Sequence, residues 1–131
     1  MGMKALLDTQ VFLWMAADPE ALSTDARDAI EAPGAELYLS AAAVWEISIK
    51  SALGKLTLPE TVAAYVRDRL HRLELIPLPI SLTHAIEVAG LPPHHGDPFD
   101  RMLVAQARSE RMVLISADRQ LAAYEVEILP A

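Results

Sequence analysis

The sequence predicts an α/β fold, in which helices cover both faces of a central parallel sheet. Short apolar runs alternate along the chain with helical segments, and most of these runs are continuous. Continuous apolar strands are typical of parallel sheets, because both faces of such a sheet are buried. The length of 131 residues fits one ordinary domain, so we expect residues 1–131 to form a single domain.

The first three predicted elements are a strand and two helices. Residues 4–8 form a short apolar run that predicts a buried strand. The helix predicted at residues 9–17 ends before Asp18, which precedes a proline and therefore disfavours the helical conformation. Ser23 is a good N-cap for the next helix, which we expect at residues 24–32.

The next three predicted elements are a strand and a helical hairpin. Residues 36–39 read as a strand, and Ser40 can cap a helix over residues 41–53, which Gly54 stops. A proline starts the helix predicted at residues 59–74. No strand separates these two helices, so we expect them to form one wall over the active edge of the sheet.

The remaining predicted elements continue the alternation. Residues 75–78 are strand-like, and Ser81 caps a helix that ends near residue 90. Asp97 and the proline after it open a helix to residue 111. The last predicted elements are a strand at residues 112–116, a short helix at 118–124 and a strand at 126–129.

Composition and charge narrow the function classes. The chain has no cysteine, which excludes disulfides, thiolate zinc sites and a cysteine nucleophile. There is no signal-peptide pattern and no apolar run near the roughly 20 residues that span a bilayer, so we expect a soluble cytoplasmic protein. The net charge of −7 argues against broad, nonspecific nucleic-acid binding. This charge does not exclude a nuclease, because bound metal or clustered basic residues can supply local positive charge. Two groups of arginines lie close together in the sequence, Arg67, Arg69, Arg72 and Arg101, Arg108, Arg111. Each group equally suits a solvated helix face.

Four acidic residues occupy positions where an α/β sheet binds its ligands. Asp8 and Asp118 lie at or just past the ends of predicted strands, and Glu46 and Asp100 lie within about two turns of a predicted helix start. Strand carboxyl ends and helix amino ends meet along one edge of such a sheet. Four carboxylates there would repel one another, and a hard divalent cation would relieve the repulsion. We therefore expect a Mg²⁺- or Mn²⁺-dependent phosphoryl-transfer site.

Several of these acids also have a purely structural interpretation. Asp8 could simply cap the next helix, and Asp118 could be an acid in the first turn of a short helix. An i,i+4 pair between Glu46 and Lys50 is worth only about 0.2–0.5 kcal/mol, which does not explain a carboxylate on a largely apolar helix face. We therefore favour a functional role for Glu46. Ser116 is an N-cap candidate that could instead hold a water or a metal-bound carboxylate.

Asp97 and Asp100 form an arrangement close to a capping box. Asp97 stands at the N-cap of its helix and Asp100 at the third helical position, where both acids suit the helix dipole. Capping fully accounts for Asp97. Asp100 could belong only to the cap, or it could turn into the crevice opposite Glu46.

Several aromatic and imidazole side chains are expected to be structural. His94 and His95 invite a transition-metal site, but no third ligand has diagnostic spacing, so we do not expect metal there. Trp14 and Trp45 lie in apolar helical patterns and are expected in the core. His84 is expected on a helix surface.

Several short segments follow one another in a specific order. They are Leu7-Asp8-Thr9 with Phe12-Leu13-Trp14, Ser40 with Val44-Trp45-Glu46-Ile47, Lys50 with Gly54-Lys55-Leu56, His95 with Asp97-Pro98-Phe99-Asp100-Arg101-Met102-Leu103, and Ile115-Ser116-Ala117-Asp118. Together they closely resemble a PIN domain, and the resemblance is nearest to the VapC-type toxins of bacterial toxin–antitoxin pairs. It covers essentially the whole chain.

The resemblance implies a compact three-layer α/β/α sandwich with a central parallel sheet. It implies a metal-dependent endoribonuclease whose acidic residues correspond to Asp8, Glu46, Asp100 and Asp118, with Asp97 as an extra acid. It also implies a cognate antitoxin that occupies the active groove, often with a basic residue near the acids, and a homodimer.

We expect the four acids to be both metal ligands and catalytic residues. Bound Mg²⁺ or Mn²⁺ would lower the pKa of a water that attacks an RNA phosphodiester bond in line. Thr9, Lys50, Asp97 and Ser116 are possible supporting residues, and Lys50 is a candidate contact for a substrate phosphate.

Two other function classes compete with this hypothesis. A receiver-like signalling domain or a phosphatase would also place an acid after a strand, but the phosphatase pattern requires a second aspartate where this chain has Gln10. The other class is a PIN-fold binding module, or an RNA-processing protein without a toxin role. Phosphate release, acetyl-phosphate labelling and metal-dependent RNA cleavage would separate these classes.

Overall fold

The computed structural model describes residues 2–131, which form a five-stranded sheet and six α-helices. Residue 1 of the predicted domain lies outside the described residues. The strands are β1 (Lys4–Leu7), β2 (Glu36–Ser40), β3 (Ile76–Leu78), β4 (Val113–Ser116) and β5 (Ile128–Pro130). Their order across the sheet is β3-β2-β1-β4-β5, and every neighbouring pair is parallel. The predicted α/β class is confirmed.

The helices begin at the capping residues that the sequence indicates in most cases. They are α1 (Thr9–Ala17), α2 (Thr24–Glu31), α3 (Ala41–Ala52), α4 (Val62–Arg72), α5 (Leu82–Ala89) and α6 (Pro98–Glu110), with short 3₁₀ helices at Pro19–Ala21 and Arg119–Ala123. Ser23, Ser40, Ser81 and Asp97 each accept a hydrogen bond from a first-turn N–H group. Gly54 has a φ of 72°, in the left-handed region that favours glycine, just beyond the end of α3.

The sheet separates two apolar cores. Side chains alternate between the two faces of a strand, so Ala5 and Leu7 of β1 enter one core and Leu6 enters the other. Residues of α1, α2, α3 and α4 cover the first core, whereas α6 and the partly buried Val88 of α5 cover the second. The result is the expected three-layer sandwich.

The strand order places a crevice beside β1. The chain passes from β1 to β2 and β3 on one side, and β4 and β5 lie on the other side. In open α/β sheets this reversal opens a crevice outside the strand carboxyl ends, where ligands bind. Asp8 follows β1, Ser40 ends β2 and Ser116 ends β4, so three adjacent strands deliver polar side chains to this edge.

Some predicted element boundaries were wrong. Pro59 does not begin α4, because the Thr61 side chain accepts a hydrogen bond from the Ala64 N–H group at 3.2 Å and starts the helix three residues later. The helix predicted at 118–124 is the second 3₁₀ helix, and the strand predicted at 126–129 is shorter and shifted towards the C-terminus as β5.

Two predictions about burial were also wrong. Trp45 is 59% exposed, because α3 is apolar on more than one face and Ile47 takes the core position. His84 is buried, because its Nε2 atom pairs with Glu110 at 2.7 Å and its Nδ1 atom accepts a hydrogen bond from the Ser81 N–H group at 3.0 Å. Within residues 2–131, no helix has the length and apolar character needed to cross a membrane.

Candidate functional site

The edge at the strand carboxyl ends opens into a cleft of about 530 Å³. The charged side chains that line it are Asp8, Glu46, Asp97, Asp100, Asp118, Lys50, Lys55 and Arg119. The four acids predicted from the sequence therefore share one cleft, together with the extra acid Asp97. Thr9 and Lys50 line it as well. Helix α3 and the segment after it form one wall of the cleft, but α4, the second helix of the predicted hairpin, does not line it.

Asp8 is buried and held from two directions. Its Oδ1 atom accepts a hydrogen bond from the Val11 N–H group at 2.7 Å, which caps α1. Its Oδ2 atom accepts hydrogen bonds from the Ser116 hydroxyl at 2.6 Å and from the Ala117 N–H group at 2.9 Å. Burial raises the pKa of Asp8 more than these hydrogen bonds lower it. Asp8 is thus both a helix cap and a cleft carboxylate.

Glu46 is buried on α3 and has a partner on each oxygen. The Thr9 hydroxyl donates to Oε1 at 2.6 Å, and the Lys50 ammonium donates to Oε2 at 2.5 Å. The i,i+4 pair considered from the sequence therefore exists, but it is only half of the arrangement. The hydrogen bond to Glu46 raises the pKa of Lys50, which keeps that ammonium charged.

The amino end of α6 brings two acids to the cleft. Asp97 Oδ1 accepts hydrogen bonds from the N–H groups of Phe99 and Asp100, at 2.8 and 3.1 Å, and so caps the helix. Burial raises the pKa of Asp100 to about 7, and the charges of Asp97 and Glu46 act in the same direction. This carboxylate is the one whose ionisation is most opposed by its surroundings.

Asp118 caps the second 3₁₀ helix and faces a histidine. Its Oδ1 atom accepts a hydrogen bond from the Gln120 N–H group at 2.9 Å, and its Oδ2 atom lies 2.6 Å from Nε2 of His95. Burial raises the pKa of Asp118, but the hydrogen bonds from the Gln120 N–H group and from His95 outweigh burial and lower this pKa overall. Ser116 accepts a hydrogen bond from the Asp118 N–H group at 3.0 Å, so Asp118 rather than Ser116 is the N-cap.

His95 belongs to the sequence pattern that resembles a PIN domain, but no role in the site was predicted for it. Its Nε2 atom also lies 3.5 Å from Oδ2 of Asp100, and its Nδ1 atom accepts a hydrogen bond from the Asp97 N–H group at 3.0 Å. His94 packs against an aromatic ring instead. The sequence signal for His95 was its position in the loop immediately before the α6 cap.

The basic side chains of the cleft also differ from those that the sequence suggested. Lys55 and Arg119 line the cleft, whereas the arginine groups of α4 and α6 do not. Arg69 of α4 instead pairs with Glu60, and Arg101 of α6 donates to the backbone carbonyl of Pro92 at 2.9 Å. These two arginines have structural roles.

The donor set fits a hard divalent cation. Carboxylate oxygens are the ligands that Mg²⁺ and Mn²⁺ prefer. One carboxylate oxygen each of Asp100 and Asp118 and a ring nitrogen of His95 lie within 4.8 Å of one another. Five acidic and three basic side chains line the cleft, and the raised pKa of Asp100 indicates that its negative charge is not fully balanced. A cation would supply the missing positive charge.

Comparison with known proteins gives a consistent family match. The sequence model of the PIN domain family matches residues 5–127. Ribonuclease VapC22 of Mycobacterium tuberculosis is 29% identical over 116 residues, which cover 88% of this chain and 88% of that protein. Ribonuclease VapC16 of the same organism is 48% identical over 48 residues, which cover 37% of this chain and 34% of that protein.

Solved structures share the same fold. VapBC2 from Rickettsia felis, bound to a DNA fragment from its promoter, superposes with a TM-score of 0.75 at 13% identity and covers 98% of this chain and 99% of that chain. DNA-bound VapBC from Salmonella typhimurium superposes with a TM-score of 0.72 at 18% identity, with 98% of each chain covered.

Proposed function

The chain belongs to the PIN domain family, and we propose that it is a metal-dependent endoribonuclease that acts as the toxin of a toxin–antitoxin pair. The observation that carries the proposal is the gathering of four carboxylates in one cleft at the carboxyl-end edge of the sheet. Relatives that are named ribonucleases support the activity, and structural neighbours that are toxin–antitoxin complexes support the partner. An RNA substrate would place the activity in the cytoplasm.

Asp8, Glu46, Asp100 and Asp118 are the residues that we assign to hold Mg²⁺ or Mn²⁺, and they are the proposed catalytic residues. A bound ion of this kind supplies a water of lowered pKa and positive charge beside the scissile phosphate. Each of the four acids faces the cleft, so an RNA phosphate that enters it meets this site directly.

The neighbouring residues keep the acids in place. The Thr9 hydroxyl fixes Glu46 Oε1, and the Ser116 hydroxyl links the end of β4 to Asp8. Lys50 pairs with Glu46 and lines the same cleft, so its charge offsets that carboxylate beside the space that a substrate phosphate would enter. These contacts preorganise the ligands before any ion or RNA arrives.

RNA cleavage with and without metal tests the proposal. We expect purified wild-type protein to cut RNA oligonucleotides in Mg²⁺ or Mn²⁺ and to lose this activity in excess EDTA. Asp100→Asn should slow cleavage by about 100-fold or more, because the site loses a charged ligand. Asp28→Asn, an exposed acid on α2, is the matched control and should retain full activity. Equal cleavage by Asp100→Asn and wild type would contradict the assignment.

Induction in bacterial cells separates a toxin from an RNA-processing enzyme. A toxin should arrest growth when it is expressed alone, and Asp100→Asn should not. Normal growth together with metal-dependent cleavage in vitro would support the nuclease activity and contradict the toxin role.

The acid-rich cleft suits an antitoxin segment that carries an arginine or lysine, because such a residue would pair with the carboxylates as a cation does.

Homodimerisation is a further part of the proposal. Trp45 on α3 and Leu82 and Ile86 on α5 are 59%, 79% and 64% exposed, which is unusual for large apolar side chains. Trp45 also lines an apolar groove of about 390 Å³ that reaches α5. Light scattering should give twice the mass of one chain, and the double variant Leu82→Glu/Ile86→Glu should give the mass of one chain. A monomeric wild type would contradict this part.

A further inference from the structure

His95 stands behind two of the cleft carboxylates rather than in the cleft wall. Its side chain is 13% exposed, and it is not among the residues that line the cleft. Its Nε2 atom is nevertheless 2.6 Å from Oδ2 of Asp118 and 3.5 Å from Oδ2 of Asp100. An imidazole in this position has two possible roles: it can bind the metal directly, or it can hold the carboxylates that do.

The other ring nitrogen decides between these roles. Nδ1 of His95 accepts a hydrogen bond from the Asp97 N–H group at 3.0 Å, so this nitrogen carries no proton. In the neutral ring the proton therefore lies on Nε2, the atom that faces Asp118. A protonated Nε2 has no lone pair for a metal, but it donates a hydrogen bond to the carboxylate.

Asp118 is the more exposed of the two carboxylates that face His95. Its side chain is 34% exposed, and its Oδ1 atom is already committed to the Gln120 N–H group. The hydrogen bond from His95 fixes Oδ2 and leaves one lone pair of that oxygen for another ligand. Because the Asp97 backbone sets the ring orientation, the α6 cap and Asp118 are mechanically connected through one imidazole.

We propose that His95 is a positioning residue, which donates its Nε2 proton to Asp118 and holds that carboxylate beside Asp100 for metal binding. The inference rests on the proposed metal site. It assigns His95 to the shell of hydrogen-bond partners around the ligands, and such partners commonly change metal affinity by about 10–100-fold when they are removed.

Two isosteric variants separate the two hydrogen bonds of the ring. His95→Gln keeps an N–H donor near the Nε2 position, and His95→Asn keeps an acceptor near the Nδ1 position for the Asp97 N–H group. Mn²⁺ affinity, measured by electron paramagnetic resonance titration without RNA, should fall by about 10–100-fold in His95→Asn and by only a few-fold in His95→Gln. Wild-type affinity in His95→Asn, or equal losses in both variants, would overturn the positioning role.

A double variant tests whether His95 acts through Asp118. If it does, His95→Asn should weaken Mn²⁺ binding little further in an Asp118→Asn background, because the two residues form one unit. Additive losses would show that His95 acts by another route. Pulsed resonance spectra of Mn²⁺-loaded wild type should show no directly bound nitrogen, and a coordinated-histidine signal would overturn the proposal.

Nitrogen NMR of the metal-free protein reads the same contact without metal or RNA. The His95 resonance, identified by its loss in His95→Asn, should report a proton on Nε2 and should shift in Asp118→Asn but not in Asp28→Asn. A proton on Nδ1 would overturn the inference. If wild type binds no Mn²⁺, the proposed metal-dependent function fails, and this spectrum still decides whether His95 holds Asp118.

Discussion

Asp100 lies where burial and like charge act in the same direction. Both effects oppose its ionisation, and together they raise its pKa to about 7. Asp97, Glu46 and Asp8 are the acids that contribute this charge. A carboxylate in such a place weakens the metal-free fold when it ionises, and a bound cation reverses the effect. Asp100 therefore couples metal binding to stability more directly than its neighbours do.

The pH dependence of stability should expose this coupling. An unfolded aspartate titrates near the ordinary value of 3.8, and Asp100 in the folded protein titrates near 7. Between these values the folded state binds more protons, so the free energy of unfolding should fall as pH rises and then level off above about pH 7. Asp100→Asn should flatten this decline and be more stable than wild type at about pH 8.

Urea denaturation in EDTA from about pH 5 to about pH 8 measures this decline. Asp28→Asn should follow the wild-type curve. Saturating Mn²⁺ should raise the free energy of unfolding of the wild-type protein near neutral pH. It should change the free energy of unfolding of Asp100→Asn little. A metal-free wild type whose stability rises over this range would show that the Asp100 carboxylate is already balanced by positive charge.

Replacing Asp8 by asparagine should lower stability, in contrast to the same replacement at Asp100. Its two oxygens accept three hydrogen bonds, from Val11, Ser116 and Ala117. An asparagine offers one oxygen and turns an NH₂ group towards a donor, so at least one buried polar group loses its partner. We expect Asp8→Asn to lower the free energy of unfolding by about 1–3 kcal/mol in EDTA at neutral pH. Unchanged or increased stability would mean that relief of the buried charge outweighs the lost hydrogen bonds.

At the scale of elements, local signals predicted boundaries well and orientation less well. Ser23, Ser40 and Ser81 cap helices as expected, because an N-cap acts within its own first turn. Helix α3 is apolar on more than one face, so its pattern does not show whether Ile47 or Trp45 enters the core. The packing of α1 and α4 against α3 places Ile47 in the core.

The gathering of the acids was predictable, but their partners were not. Strand ends and helix starts share one edge in any parallel α/β sheet, and this rule alone brings Asp8, Glu46 and Asp118 together. The hydrogen bonds from Thr9 to Glu46 and from His95 to Asp118 join residues on different elements. Such contacts depend on how loops and helices pack against one another in three dimensions. The periodicity of the sequence does not encode this packing.

The α6 cap offers a prediction that separates capping from metal binding. Asp97 Oδ1 accepts from two backbone N–H groups, so asparagine should replace it as a cap and alanine should not. We expect Asp97→Ala to lose about 1 kcal/mol of stability and Asp97→Asn to lose less. Asp97→Asn should also keep Mn²⁺ affinity within a few-fold of wild type. A collapse of affinity in the stable Asp97→Asn variant would make Asp97 a metal ligand.

At the scale of the whole molecule, the net charge opposes RNA binding, and the cleft holds a few basic side chains beside its acids. The chain carries a net charge of −7, yet Lys50, Lys55 and Arg119 all line the cleft. Lys50 is engaged by Glu46, so Lys55 and Arg119 are the better candidates to contact flanking phosphates. With a cation bound at the acids, these basic side chains would attract RNA to the cleft, and the rest of the acidic surface would not.

The salt dependence of RNA binding tests this attraction to the cleft. Each lysine or arginine that contacts a single-strand phosphate contributes about 0.7 to the slope of log affinity against log salt. On an Asp100→Asn background with Mg²⁺, where RNA should remain uncut, Lys55→Gln should lower this slope by about 0.7–1 and weaken binding to RNAs of different sequence alike.

Arg67→Gln on α4, outside the cleft, is the charge-matched control and should leave the slope unchanged. Fluorescence anisotropy from about 50 to about 200 mM salt measures both variants. Equal effects of the two substitutions would mean that RNA responds to the overall charge of the protein, and an unchanged slope in Lys55→Gln would place the RNA path on another side of the acids.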